Sequence, residues 1–266
     1  MNAEDTASES TREAVLLLPG MTLNGSIFPD VPAPSVAIDF NELRSPPATM
    51  RGYAGLLDHH WRATPNWDTR RWIMVGHSFG GMVALQWLVD HPRARDRVRG
   101  LVLIATTAGP VRQHALLRLG QIGRHEFRAP VAPFLPLWNS RIVTHGMKWL
   151  VAQGATHRVD FRALRRHSDF AVDLAGWRDT RAEAMRGYRS AAADFDLRTE
   201  ARSLTVPTIV IHGTRDSLFA LDAARALAAT LPRCELRVVD GAAHALPLTH
   251  GAVVEQAISD LRAGSA

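Results

Sequence analysis

The chain has 266 residues, of which 46% are hydrophobic, and carries a formal net charge of +5. This length suits one large α/β domain, with or without an inserted cap, but no apolar run reaches the ~20 residues of a membrane-spanning helix. The arginines are scattered and not interleaved with aromatic side chains, which argues against nucleic-acid binding. The single cysteine, Cys234, excludes an intrachain disulfide and a cysteine-based metal cluster.

The N-terminal residues 1–12 are polar and acidic. They lack the basic start and the following apolar stretch of a secretory signal. We therefore expect a disordered tail over this segment and a cytoplasmic protein.

Six short apolar runs predict β-strands. Most are rich in Val, Ile and Leu, and several lack the polar alternation of a half-exposed strand, as is typical of strands buried on both faces of a parallel sheet. In chain order they are residues 14–18, 35–40, 71–75, 101–105, 208–211 and 235–239. Cys234 leads into the last of these, so we expect it to be a small packing residue beside a buried strand.

Helical patterns lie between several of these strands. Residues 48–62 carry apolar side chains at three- and four-residue spacing, and residues 80–90 are largely apolar up to His91-Pro92. Two further helices are predicted at residues 221–230 and 253–262. Alternation of strands and helices indicates right-handed crossovers and an α/β fold.

The stretch from 107 to 201 interrupts this alternation. It has no convincing strand, but it has apparent amphipathic helices over residues 141–151 and 160–174. We predict a helical cap over 107–201, inserted into a core formed by residues 13–106 and 202–266. Together with Thr22, four apolar cap residues are candidates for substrate binding: Phe134, Leu137, Trp138 and Met147. Packing of the cap onto the core is the alternative role of these four residues.

The segment Gly76-His77-Ser78-Phe79-Gly80 follows a predicted buried strand and opens a predicted helix. A G-x-S-x-G sequence in that context is the pattern of a nucleophile elbow. Gly76 and Gly80 leave room for a strained turn, and Ser78 projects at the positive end of the following helix. Ser78 is therefore the predicted nucleophile.

A serine nucleophile needs a base, and His244 is favoured among the 12 histidines. It lies in a small-residue loop directly after the last predicted strand, and ligands bind beyond the carboxyl ends of strands in open α/β sheets. His250 is the competitor, further along the chain. His77 is expected to pack beneath the elbow, and His212 to be a packing or hydrogen-bonding residue at a strand end.

The base in turn needs an acid that fixes its tautomer. Asp216 follows the predicted strand 208–211 and is the favoured residue. Asp194 and Asp196 precede that strand, at its wrong end, and Asp240 is so close to His244 in sequence that the turn would be unusually tight. The resulting order Ser, Asp, His is that of α/β-hydrolases.

Two backbone N–H groups are expected to bind the oxyanion. One belongs to Phe79, directly after the nucleophile. The other is predicted at Met21, in the loop Leu18-Pro19-Gly20-Met21-Thr22 after the first strand. An ordinary Gly/Pro turn is the alternative interpretation of that loop.

With these motifs in place, the sequence resembles the α/β-hydrolase superfamily, closest in pattern to esterases and acyl hydrolases with a helical cap. The resemblance rests on LLLPG, GHSFGGMVALQWLVDHP, VRGLVLIATTAG, VPTIVIHGTRDSL and GAAHALPLTH. The segment GHSFGGM also looks like that of plant-type methyl esterases, but is too short to identify a substrate. The sequence begins almost at the first predicted strand, so we expect no counterpart of the family's leading hairpin and a sheet of about six parallel strands.

Two further departures concern loops. The family's usual His-Gly in the oxyanion loop is Pro19-Gly20 here, and its glycine-rich run after the second strand is replaced from Asn41 onwards by NELRSPP. The second departure is expected to reshape one wall of the pocket.

The resemblance implies hydrolysis of a carboxylic ester through an acyl-enzyme, without a metal or organic cofactor. The expected partner is a small-molecule ester or thioester, with an acyl carrier protein as a further possibility. Alternatives with the same triad are a thioesterase acting on carrier-bound or coenzyme A acyl chains, a lactonase, a C–C hydrolase and a cyclase or lyase. A ligand-binding protein with slow turnover is the non-enzymatic alternative. The sequence does not indicate an oligomeric state.

Overall fold

A single parallel sheet organises the chain. The computed structural model describes residues 13–31, 34–111 and 180–264, together with residues 162, 172, 175 and 176. Its six strands are all parallel and lie in the order β2-β1-β3-β4-β5-β6. The strands are β1 (Glu13–Leu18), β2 (Ser35–Ala37), β3 (Arg71–His77), β4 (Val98–Ile104), β5 (Thr208–Gly213) and β6 (Cys234–Val239). The predicted sheet of about six parallel strands is confirmed.

The four inner strands are buried on both faces. Along β4, Leu101 and Leu103 pack into one apolar cluster, whereas Val102 and Ile104 pack into a second cluster on the opposite face. Successive side chains of a strand point to opposite faces, so a strand covered by helices on both sides needs an uninterrupted apolar run. This explains why these strands lack alternation.

The last strand differs from the prediction. β6 lies at the edge of the sheet, its residues are intermediate or exposed, and Val238 is 45% exposed. The expectation of a buried strand after Cys234 is therefore wrong, because β6 pairs with a strand on one side only and the edge of the sheet is less completely covered. Cys234 itself still packs against the core, and burial raises the pKa of its thiol to about 11, so it stays protonated.

Seven α-helices with defined bounds lie within the described ranges. They are α1 (Met50–Arg62), α2 (Phe79–Asp90), α3 (Pro92–Arg95), α4 (Ala182–Ala193), α5 (Leu221–Thr230), α6 (Leu246–Thr249) and α7 (Gly251–Ala263). The Thr49 side chain caps α1 by accepting from the Gly52 N–H at 3.2 Å. The four helices predicted outside the cap correspond to α1, α2, α5 and α7, with ends that differ by two residues at most.

Helix α2 is buried around its whole circumference. It packs on β1 and β3 and is covered by α1 and by the turn at Glu200–Ser203. Residues 72–77 and 79–88 are all buried, whereas Ser78 between them is partly exposed. The packing therefore fixes the turn between β3 and α2 while leaving its serine within reach of solvent.

The predicted cap lies mostly outside the described residues, as do its predicted helices 141–151 and 160–174 apart from residues 162 and 172. The described part of the segment contains α4, which packs against α1. The division into core and cap remains a prediction. Within the described chain, every helix is too short or too polar to span a bilayer.

Candidate active site

The turn between β3 and α2 holds Ser78 in a strained conformation. Its φ and ψ are 52° and −118°, and a positive φ is costly for a residue with a side chain. The Ser78 N–H donates to the Ile104 carbonyl at 2.9 Å, and the Thr106 hydroxyl donates to the Ser78 carbonyl at 2.7 Å. These bonds from the end of β4 stabilise the strained turn.

The two glycines of the elbow sit where no side chain fits. A Cβ on Gly76 would lie 2.6 Å from the Gly81 Cα, and one on Gly80 would lie 2.0 Å from the Leu18 carbonyl oxygen. The helix and the loop after β1 therefore approach the elbow more closely than any other residue type allows. The predicted reason for these glycines is confirmed.

Gly80→Ala should consequently prevent folding or lower the free energy of unfolding by at least about 4 kcal/mol, because the clash is with backbone atoms. The matched variant Gly55→Ala introduces the same methyl group on α1, where a Cβ meets nothing within 4 Å. It should raise the free energy of unfolding by about 0.5–1 kcal/mol. Urea unfolding of both variants measures this, and equal effects would refute the steric explanation.

His244 and Asp216 form a buried pair at the carboxyl edge of the sheet. The His244 Nδ1 lies 2.9 Å from the Asp216 Oδ2, with side-chain exposures of 9% and 0%. The other carboxylate oxygen of Asp216 accepts from the N–H groups of Leu218 and Phe219 at 2.8 and 3.0 Å. Burial by itself would raise the pKa of Asp216, but the nearby His244 and, after it, the Phe219 N–H hold that pKa below its usual range. Asp216 is therefore an ionised acceptor.

Direct bonds between two loops place this pair. The Arg215 N–H donates to the Ala242 carbonyl at 2.9 Å, and a Cβ on Gly213 would lie only 2.1 Å from that same oxygen. The Thr214 hydroxyl lies between the Asp240 carboxylate and the Gly241 N–H, at 3.0 and 2.9 Å. The loops after β5 and β6 are thus joined side by side.

The alternative acids and bases lie elsewhere. Asp240 is exposed and accepts from Thr214, and Asp196 is exposed and pairs with Arg198. Asp194, a further candidate acid, is also exposed. His250, the competing base, has its Nδ1 2.8 Å from the hydroxyl of the neighbouring Thr249. His212 is buried, and its Nε2 lies 3.0 Å from the Phe219 carbonyl, as befits a hydrogen-bonding residue at a strand end.

His77 connects the elbow to the loop that carries His244. Its ring is fully buried, its Nε2 donates to the His244 carbonyl at 2.9 Å, and the two ring centroids are 4.9 Å apart. His77 is covalently joined to Ser78, so this contact brings the His244 loop against the elbow. Burial, and secondarily the neighbouring His244, lowers the pKa of His77 to about 3.

The low pKa of His77 predicts a pH dependence of stability. In the unfolded chain a histidine has a pKa of about 6.5, so between pH 6.5 and about 3 the unfolded chain binds a proton that the folded chain does not. Through this group, the free energy of unfolding should fall by about 1.4 kcal/mol per pH unit as the pH is lowered across that window. His77→Gln keeps an N–H donor but does not titrate, and should show a shallower decline in urea unfolding between about pH 6 and 4. Equal slopes would contradict the prediction.

The loop after β1 passes directly over the elbow. A Cβ on Gly20 would lie 3.1 Å from the Ser78 Cβ, and the Leu23 N–H closes a turn onto the Gly20 carbonyl at 3.2 Å. Met21 and Thr22 occupy the middle of this turn, and Thr22 is buried with a φ of 67°. Phe79 begins α2 on the other side of Ser78. The loop that carries Met21 and the start of α2 at Phe79 are thus both next to the serine.

The remaining predicted pocket residues lie outside the described residues: Phe134, Leu137, Trp138 and Met147. In the described part of the chain, no group of three or more His, Cys, Asp or Glu side chains is arranged to hold a metal ion.

Sequence reasoning missed three buried polar residues beside the loop after β1: Asn41, Thr180 and Tyr188. Asn41 follows β2 at the carboxyl edge of the sheet, and this position was the one feature of the sequence that could have marked it as part of the site. Thr180 and Tyr188 lie within the predicted cap over 107–201, where no local pattern marks them.

Comparison with known proteins agrees with this geometry. A family model described as the alpha/beta hydrolase fold matches residues 68–251. A pimeloyl-(acyl-carrier protein) methyl ester esterase of Xanthomonas campestris pv. campestris (strain B100) is 26% identical over 258 residues, covering 92% of this chain and 93% of the relative. An enzyme of the same name from Edwardsiella ictaluri (strain 93-146) is 30% identical over 188 residues, covering 68% and 65%.

The solved structures show the same fold. The esterase RhEst1 from Rhodococcus sp. ECU1013 superposes with a TM-score of 0.64 at 15% identity, covering 97% of this chain and 92% of the other chain. The predicted fold is therefore confirmed by the sheet and by the comparisons together. With a family model that spans more than half of its length, this chain belongs to the α/β hydrolase fold family.

Proposed function

We propose that the protein is a carboxylic ester hydrolase in which Ser78 is the nucleophile, His244 the general base and Asp216 the acid that orients the base. The observation that carries the proposal is the buried 2.9 Å contact between Asp216 and His244, in a loop packed against the residue before Ser78. The strained, partly exposed serine at the start of a buried helix adds to it.

In the proposed reaction the Ser78 Oγ attacks the ester carbonyl carbon and passes its proton to the His244 Nε2. Because the Nδ1–H of His244 donates to Asp216, the Nε2 is left free of hydrogen and is the basic atom. The Met21 and Phe79 N–H groups bind the oxyanion. The C–O bond then breaks, the alcohol leaves with the proton from His244, and an acyl-enzyme remains.

Water completes the cycle. His244 takes a proton from the water as its oxygen attacks the acyl carbon, a second oxyanion forms, and the bond to the Ser78 Oγ breaks. The carboxylic acid leaves and Ser78 recovers its proton from His244. Each step moves protons between groups of the chain, the substrate and water, so the mechanism requires no metal or cofactor.

We place the substrate between the loop after β1 and a cap over 107–201. Thr22 would line the pocket from the core, and Phe134, Leu137, Trp138 and Met147 from the cap. The apolar side chains of the four cap residues suit an acyl chain or an alkyl group of the alcohol.

A carrier-linked ester is the second candidate substrate. It is supported by the curated relatives named as pimeloyl-(acyl-carrier protein) methyl ester esterases, the first of which matches the chain over nearly its whole length. The net charge of +5 is compatible with an acidic carrier protein. Ser78 would then cleave the C–O bond of a methyl ester at the end of a carrier-bound acyl chain.

Multiple-turnover assays on matched substrates test the function. We expect many turnovers per protein molecule on short p-nitrophenyl esters, and faster cleavage of the oxygen ester than of the matched thioester or lactone. A single stoichiometric burst would instead favour the slow-turnover ligand-binding alternative. A faster thioester reaction would favour a thioesterase.

The carrier-linked substrate is tested by comparing one methyl ester in two forms, free and attached to an acyl carrier protein. If the carrier is recognised, the attached form should have the larger kcat/KM, and high salt should reduce that advantage. Equal values for both forms would restrict the proposal to small-molecule esters.

A further inference from the structure

A cluster of buried polar side chains joins the loop after β1 to the segment around α4. Asn41, Thr180 and Tyr188 are 5%, 1% and 2% exposed. The Asn41 Nδ2 donates to the Leu23 carbonyl at 2.7 Å, and the Asn41 Oδ1 accepts from the Tyr188 hydroxyl at 2.8 Å. The Thr180 hydroxyl donates to the Gly176 carbonyl at 2.8 Å and lies 3.3 Å from the same Asn41 oxygen. Buried polar groups need such partners, so each side chain holds the others in place.

The cluster supports a turn that is strained. Thr22 has a φ of 67°, and the turn is closed by Leu23, whose carbonyl is the atom that Asn41 binds. Gly176 backs the same turn closely enough that a Cβ there would lie 2.6 Å from the Thr22 carbonyl oxygen. A strained loop keeps its conformation only where the surroundings determine it. Here those surroundings are Asn41 and the segment near Thr180.

Tyr188 also reaches the other side of the elbow. Its ring packs edge-on against the Phe79 ring, with centroids 4.9 Å apart. Burial raises the pKa of Tyr188, so its hydroxyl stays protonated and donates to Asn41. That bond sets the orientation of the Asn41 amide, which leaves the Nδ2 for Leu23. One tyrosine thus contacts the residue of one proposed oxyanion donor and, through Asn41, the loop of the other.

We propose that Asn41, Thr180 and Tyr188 are positioning residues that hold the loop after β1, and with it the Met21 N–H, where an oxyanion forms on the acyl carbon. This inference rests on the proposed ester hydrolysis. The residues touch neither the substrate nor the reacting atoms. Their loss should weaken binding of the transition state more than binding of the substrate, so kcat falls while KM changes little.

The stacked pair of tyrosines provides a matched test. Tyr188→Phe removes the hydroxyl that binds Asn41. Tyr53→Phe removes the hydroxyl of the ring stacked on it at 5.7 Å, which has no hydrogen-bond partner among the described residues. On a p-nitrophenyl ester we expect Tyr188→Phe to lower kcat about tenfold with KM within about twofold of wild type, and Tyr53→Phe to leave both unchanged.

A second readout separates positioning from general loosening of the fold. An aryl trifluoromethyl ketone adds to the Ser78 Oγ as a hemiketal, whose oxyanion takes the place of the one in the reaction. For Tyr188→Phe its inhibition constant should rise by the factor by which kcat/KM falls. A Tyr188→Phe enzyme that matches Tyr53→Phe in both kcat and inhibition constant overturns the proposal.

Further variants keep the test decisive. Asn41→Leu removes the bond to Leu23 and should have a larger effect than Tyr188→Phe. If Asn41→Leu fails to fold, Thr180→Val replaces it. An unchanged kcat and an unchanged inhibition constant in both Thr180→Val and Tyr188→Phe would then refute the proposal. Wild-type protein without Ser78-dependent ester hydrolysis refutes the proposed function and this inference together. If the wild-type protein hydrolyses esters through Ser78 but these variants have wild-type kcat and inhibition constants, only the positioning role of Asn41, Thr180 and Tyr188 is refuted.

Discussion

Ser78→Ala should lower kcat/KM for p-nitrophenyl esters by about 10⁴-fold or more, because no acyl-enzyme forms without the hydroxyl. The proposed oxyanion donors would still bind the substrate, so we expect residual turnover above the uncatalysed rate to be small but measurable. Stability should change little, since the bonds that hold the elbow come from the Ser78 backbone N–H and carbonyl rather than from its side chain.

Ser203→Ala is the matched control. Ser203 is exposed, and its hydroxyl donates only to the nearby Glu200 carbonyl at 2.7 Å. This variant should keep wild-type kinetics, and both variants should unfold at wild-type urea concentrations. Turnover close to the wild-type rate in Ser78→Ala would remove Ser78 from the mechanism.

Asp216→Asn should lower kcat by about 10⁴-fold through the wrong histidine tautomer. The Asp216 Oδ1 accepts from two backbone N–H groups, those of Leu218 and Phe219. In the asparagine variant the amide oxygen must take that position, which turns the amide nitrogen towards the His244 Nδ1. That ring nitrogen then has to accept a hydrogen bond, so the proton moves to the Nε2 and the base is lost.

Asp240→Asn tests the same chemical change at the neighbouring carboxylate. Asp240 is exposed and accepts from the Thr214 hydroxyl at 3.0 Å, a bond that an asparagine oxygen also makes. Its kcat should stay within about twofold of wild type, as expected for a surface substitution. If steady-state kinetics instead showed the large loss in Asp240→Asn and not in Asp216→Asn, the acid would be misidentified.

Local patterns predicted most of the framework. Helix α5 has the predicted bounds. The backbone is extended at Ala220, directly before the helix, and again at Leu231, directly after it. The second strand was predicted to reach residue 40 but ends at Ala37. Its apolar residues Ile38 and Phe40 are buried in the core outside the strand, so hydrophobicity alone did not separate strand from buried loop. The edge position of β6 was missed because strand order depends on all crossovers together.

By itself the sequence determined the parallel sheet, the elbow around Ser78, and the strand ends at which Asp216 and His244 had to lie, because burial on two faces and a strained turn impose residue types locally. Only the tertiary structure decided that the loops after β5 and β6 bond side by side, that His77 joins the elbow to the His244 loop, and that Asn41 meets Tyr188 across 147 positions of chain. These contacts join segments that have no local pattern in common. A hydrogen bond between distant residues depends on how the whole sheet and its helices pack, and no short window of sequence carries that information.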